Sequence, residues 1–243
     1  MGLSIGGKAA PRNKVPATVM AFETTVNKID PNGNIHYKFR YTQADLVGDS
    51  SVPPAALKEL RTQLQNLKGI SGTVVVDNRG QTQLGKFDLP QRFDSKAKLT
   101  LKQISRSVEQ LSAPLPEPAI GLGAKWRVTT NPTIGGIRLT QSATYELIKL
   151  QEDRATLRVA IAQQAPPQQP IEATGLPKNA SFTLKSLSGS GQGQTDLKLD
   201  RLIPLYSSMV VQSNSAMEVA NVSAKAPMMM ETDTKMELTL KSK

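Results

Sequence analysis

The chain has 243 residues, a formal charge of +10, 38% apolar and 4% aromatic residues, and no cysteine. That composition excludes disulfides, thiolate metal sites and a cysteine nucleophile, and it calls for a core built mainly from aliphatic and methionine side chains. No apolar run approaches the roughly 18 residues that a membrane-spanning helix needs, and the positive charge is spread along the chain without a basic arm or an aromatic stacking motif. A generally basic surface is favoured over a nucleic-acid face, with an anionic membrane surface left as a partner.

Residues 1–17 show no period and read as a flexible lead-in; MGLSIGGK is too short and too polar for a secretory signal. A strand pair follows over 18–47, turned at 30–34 (DPNGN), where Pro31 presets one dihedral and Gly33 accepts a positive one. Ile35, Tyr37, Phe39 and Tyr41 alternate with His36, Lys38 and Arg40, so one face is buried and the other wet. His36, the only histidine, falls on the wet face and reads as a surface residue. The turn resembles the start of a calcium loop, but glycine comes fourth instead of sixth and Tyr41 stands where a bidentate glutamate belongs.

Pro53 and Pro54 open a predicted helix on which Leu57, Leu60, Leu64 and Leu67 form a stripe that Gly69 closes. Strands over 70–77 and 81–89 turn at 78–80, and a second helix over 95–112 repeats the stripe with Leu101, Ile104, Val108 and Leu111. Each stripe is narrow and the remainder polar and mostly basic, so both helices are expected to lie on a sheet.

Beyond the proline-rich connector 114–118 the pattern is β: strands over 125–133 and 137–150 around Gly135 and Gly136, then a hairpin over 142–151 and 155–161. Residues 165–177 are a loop by composition. Strands follow with Met209, Val211, Ser213, Ser215, Met217 and Val219 on one face of the penultimate, and Met236, Leu238 and Leu240 on one face of the last. The glycine-rich stretches 121–125 and 189–193 lead into strands rather than helices, which suits close backbone packing better than a phosphate cradle. Met228, Met229 and Met230 suit an adaptable apolar surface or gap-filling; without histidine or cysteine beside them they are weak copper ligands.

The hairpin patterns at 21–41 and 142–161 are each followed by a glycine-containing strand pair, at 72–90 and 182–204. This repeat predicts one β-rich domain over 18–243 made of two related units, about 18–113 and 119–243. The expected fold is mainly β with two helices (α+β): a large curved antiparallel sheet or half-barrel with the amphipathic helices packed on it.

At 121–128 (GLGAKWRV), 143–147 (ATYEL) and 191–194 (GQGQ) the chain resembles an uncharacterised family of bacterial envelope proteins, often lipoproteins, with no assigned activity. The resemblance covers most of 18–243; the chain departs from it in lacking a leader and in a shorter first strand. More distantly, the expected architecture resembles the half-barrel of periplasmic lipoprotein carriers, which hold acyl chains. These resemblances imply a non-enzymatic envelope protein that binds an apolar ligand, lipid or lipoprotein-like, without a cofactor, in the periplasm or cell envelope, with the cytoplasm left open. The ligand-lining residues expected are Leu57, Leu60, Leu64, Leu67, Leu101, Ile104, Val108, Leu111, Met209 and Met217. The rival expectation is a scaffold whose sheet or basic face, with Lys58, Arg61 and Lys68, binds a macromolecule.

Overall fold

The computed structural model describes residues 2–5, 8–10, 14–48, 50–88, 114–134, 136–167, 169–171, 180–221 and 227–243. In chain order its elements are β1 (Gly2–Ile5), β2 (Lys8–Ala10), β3 (Ala17–Ile29), β4 (Ile35–Val47), α1 (Pro54–Gln65), β5 (Ser71–Val76), β6 (Thr82–Asp88), β7 (Lys125–Thr130), β8 (Thr133–Ile134), β9 (Ile137–Arg138), β10 (Thr140–Gln151), β11 (Arg154–Ala165), β12 (Gln169–Pro170), β13 (Ala180–Lys198), β14 (Tyr206–Asn221) and β15 (Met228–Lys241).

The predominance of β structure agrees with the sequence, but the single curved sheet or half-barrel with two packed helices does not. The chain divides into two compact units, Asn13–Glu117 and Met1–Arg12 with Pro118–Lys243, and each has its own antiparallel sheet with open edges among the described residues. A physical reason lies in the connector. Pro114, Pro116 and Pro118 lack the N–H groups that a continuing ladder would need. Among the described residues α1 is the only helix; the predicted helix over 95–112 lies outside them.

In the Asn13–Glu117 unit the strand order is β3-β4-β5-β6. Period-two alternation on β4 places Tyr37 and Tyr41 inward, and an extra residue at Thr42 shifts the register so that Ala44 and Leu46 face inward as well. Aromatic rings bridge the strands edge to face: Phe22 to Tyr41 at 6.3 Å, Phe39 to Tyr41 at 5.7 Å and Phe39 to Phe87 at 5.1 Å. Pro54 starts α1 without a side-chain cap. Its end is fastened to the sheet, because Gly69, at φ 87°, donates its N–H to the Tyr41 carbonyl and Tyr41 donates to that of Ile70.

The other unit is a long meander in the order β2-β1-β15-β14-β13-β11-β10-β7, with β12 paired to β13 and a separate β8–β9 ladder. Residues 1–17, expected to be a flexible lead-in, instead supply β1 and β2 at its edge and the start of β3. β1 and β2 are too short to show a period; backbone pairing of β1 with β15, and of β2 with β1, holds them whatever their side chains. The two-residue turn between β10 and β11 carries Glu152 at φ 49°.

β3-β4-β5-β6 and β10-β11-β13-β14 are both four-strand meanders, with α1 linking the middle strands of the first and residues 166–179 those of the second. Glycine marks the third strand of both. A Cβ on Gly72 of β5 would lie 2.6 Å from the Phe39 ring, and one on Gly191 of β13 would lie 2.8 Å from the Val210 carbonyl. The close packing expected for 189–193 is therefore present, and the sheet is bent at β13. β11 and β14, on either side of β13, come within 8 Å between Cα atoms, whereas strands two apart in a flat sheet are roughly 9.5 Å apart.

Candidate functional site

The inner face of the Pro118–Lys243 unit follows directly from register. Trp126, Tyr145, Val159, Gly193, Met209 and Leu238 form one row across β7, β10, β11, β13, β14 and β15. The next row holds Val128, Ala143, Ile161, Gly191, Val211 and Met236. Trp126 stacks on Tyr145 at 5.4 Å, and burial pushes the Tyr145 hydroxyl up to about 12. Neutral polar pairs flank these two rows: on one side the Thr195 and Ser207 hydroxyls meet at 3.0 Å, and on the other Gln163 Nε2 donates to Gln141 Oε1 at 2.7 Å.

This face is closed at one side and open at the other. On β11, Leu157 is 0% and Val159 1% exposed, yet on β15 Met236 is 52% and Met228 48% exposed. Met209, Met217, Met230 and Leu238 are half-buried between these limits. The strip that β14 and β15 present, the odd positions from 207 to 219 and the even ones from 228 to 240, carries no charged residue. Glu218, Glu231, Asp233, Lys235 and Glu237 all fall at alternate positions, on the opposite face.

Of the residues expected to line a ligand, Met209 and Met217 lie on this strip, about 26 Å apart along β14 at the usual strand rise. The leucine stripe belongs to the other unit and is shared between core and surface. Leu67 is buried with Tyr41, Ala44 and Ile70, Leu64 packs at their edge, Leu57 is half-buried, and Leu60 is 39% exposed. The helix ends at Gln65, so Leu67 reaches that cluster from the turn after it. Leu101, Ile104, Val108 and Leu111 lie outside the described residues. Met230 and Met236, which share this strip, were not among the residues expected to line a ligand, although the alternation Met228, Met230 and Met236, Leu238 was the available signal.

The ionic groups tie turns and strand faces together. Asp30 accepts from Lys28 and pairs with His36 at 2.6 Å, bracing the β3–β4 turn, and these two partners, Lys28 first, hold its carboxyl below the usual carboxylate range. Lys198 bridges Asp200 at 2.6 Å and Asp153 at 3.0 Å, and Glu146 sits between Arg158 at 2.8 Å and Lys125 at 3.8 Å. Of the basic residues on and after α1, Arg61 is bonded to Asp45 Oδ1 at 3.0 Å, while Lys58 and Lys68 are exposed. Among the described residues there is no cluster of three histidine, cysteine or acidic side chains suited to a metal, and no helix long and apolar enough to cross a membrane. No protein-family model, no curated protein and no solved structure matches this chain.

Proposed function

We propose that the protein is a non-enzymatic binding protein whose ligand is an acyl chain, held against the uncharged strip of β14 and β15. The observation that carries this reading is the grading of one continuous face from a closed aliphatic core at Leu157 and Val159 to exposed methionines at Met228 and Met236. An uncharged, methionine-bearing surface favours an apolar ligand over a charged one, since a desolvated charge would find no counter-charge there. Methionine, with its flexible and polarizable side chain, adapts to chains of varied length. The hydroxyl rows of Ser213, Ser215, Thr232 and Thr234 cross the strip between its two apolar stretches and offer hydrogen bonds to an ester or carboxyl oxygen.

Native mass spectrometry of freshly purified protein, followed by solvent extraction, is expected to reveal a bound acyl compound. Met209→Asp and Met236→Asp are expected to weaken uptake of a fluorescent fatty acid by at least tenfold. A protein that purifies free of such a compound and ignores the probe would overturn the reading. Recovery of a macromolecular partner, lost on charge reversal at Lys58 and Lys68, would support the scaffold alternative instead.

A further inference from the structure

We propose that Met217, Met228 and Met230 form a site for a soft monovalent metal ion, Cu(I) or its redox-silent analogue Ag(I). In the sequence the run 228–230 has no histidine or cysteine beside it and offers adjacent thioethers that cannot all face one way. The β14–β15 register changes this. Met230 lies directly across from Met217, and Met228 is two positions along the same strand, across from Val219. Met229 is opposite Glu218 and points to the other face.

Directly opposed residues hold their Cβ atoms about 4.5–5.5 Å apart, and residues two apart on a strand are about 6.6 Å apart. The methionine side chain has three rotatable bonds beyond Cα, so thioethers anchored at those spacings can converge on one ion. The two half-buried members, Met217 and Met230, supply a partly dehydrated floor, and Met228, 48% exposed, leaves a route for the ion to enter.

Ligand chemistry selects the metal. Thioether sulfur is a soft donor suited to Cu(I), whereas Mg²⁺, Ca²⁺ and Mn²⁺ take oxygen and Zn²⁺ takes thiolate or imidazole. The residues in register around this stretch, Val219, Ser215 and Thr232 with Leu184 across from Met217 and Ile5 across from Met230, are neutral, and the nearby carboxylates Glu218 and Glu231 belong to the opposite face. A neutral donor set in a partly apolar place penalises a divalent charge far more than a single one. The chain has no cysteine and its only histidine is in the other unit, so these sulfurs meet no competition from a thiolate or imidazole of the same sheet.

Binding is tested with Ag(I) by native mass spectrometry and with Cu(I) by competition against a chromogenic chelator. One ion per chain is expected. Met217→Leu and Met230→Leu should each weaken binding at least tenfold, Met217→Leu/Met228→Leu/Met230→Leu should abolish it, and Met229→Leu and Met209→Leu/Met236→Leu should leave it unchanged. X-ray absorption of the Cu(I)-loaded wild type should show a sulfur-only first coordination sphere. No retained ion, undiminished binding by the folded triple variant, or a nitrogen and oxygen sphere would overturn the proposal. Acyl uptake is read on the metal-free wild type with the fatty-acid probe, and ion retention on the same protein without acyl compound, so the two readings fail separately.

Discussion

The ring of Phe39 occupies the space that a side chain at Gly72 would need: a Cβ there would stand 2.6 Å from Phe39 Cε1 and against the Lys86 carbonyl. Phe39 is thereby free to lie edge-on to Phe87 across β5, which would otherwise separate them. Gly72→Ala is expected to cost about 2–3 kcal/mol, at the upper end for overpacking. In a double-mutant cycle with Phe39→Leu, urea melts should show the two changes coupled by roughly 1 kcal/mol. Simple additivity would mean that the ring is not what fills the slot.

The same slot on β13 faces backbone rather than a side chain. A Cβ on Gly193 would lie against the Ser208 carbonyl and 3.0 Å from Met209 Cα. Backbone of a paired strand cannot rotate away, so Gly193→Ala should lower the melting temperature of its unit by more than Gly189→Ala, whose nearest obstacle is the Gln163 side-chain oxygen at 2.9 Å. The difference should be of the order of 1 kcal/mol, since Gln163 can turn aside and β14 cannot.

Truncations along the leucine stripe separate packing from surface. Leu67, 2% exposed, should cost about 2–5 kcal/mol when changed to Ala. Leu60, 39% exposed, should cost no more than about 0.5 kcal/mol. Chemical denaturation of the two variants checks the contrast. Equal losses would show that the exposed face of α1 is as firmly held as the turn that follows it.

Alkaline pH should loosen each unit through one tyrosine. Burial raises the hydroxyls of Tyr41 and Tyr145 from 10.0 to about 12, with Tyr37 adding a smaller push on Tyr41. The unfolded chain ionises first, so it binds fewer protons than the folded one above pH 10 and stability falls as pH rises. The contribution is fully present below pH 10 and is lost as pH passes through about 12. Each tyrosine accounts for on the order of 2–3 kcal/mol of it. Denaturant melts at pH 9 and 11.5 should show this fall, and Tyr145→Phe should remove most of it from the Pro118–Lys243 unit.

The strands of this protein are legible because alternation is local. Lys38 and Arg40 are exposed and Tyr37 and Tyr41 buried because successive Cβ atoms on a strand point to opposite faces, whatever lies across from them; His36, expected at the surface, is half-buried by its bond to Asp30. Gly33, Gly80 and Gly136 mark turns for a similarly local reason, each adopting a positive φ. The leucine stripe was half-legible. Its spacing identified α1, but where the helix stopped, at Gln65, was decided by the turn that bonds Gly69 to Tyr41.

The sequence by itself determined the long strands, the alternation along them and the glycine turns that join several of them, but not β1, β2 or β12, nor the change of face after Thr42. Only tertiary structure decided that the β units keep separate sheets, that Phe39 covers Gly72, and that Met217 meets Met230 while Met229 turns away. The physical reason is one of range. Periodicity and turn conformation are set within a few bonds of each residue, whereas register between strands is fixed by packing over many residues, and a shift of one position would exchange every inward side chain for an outward one.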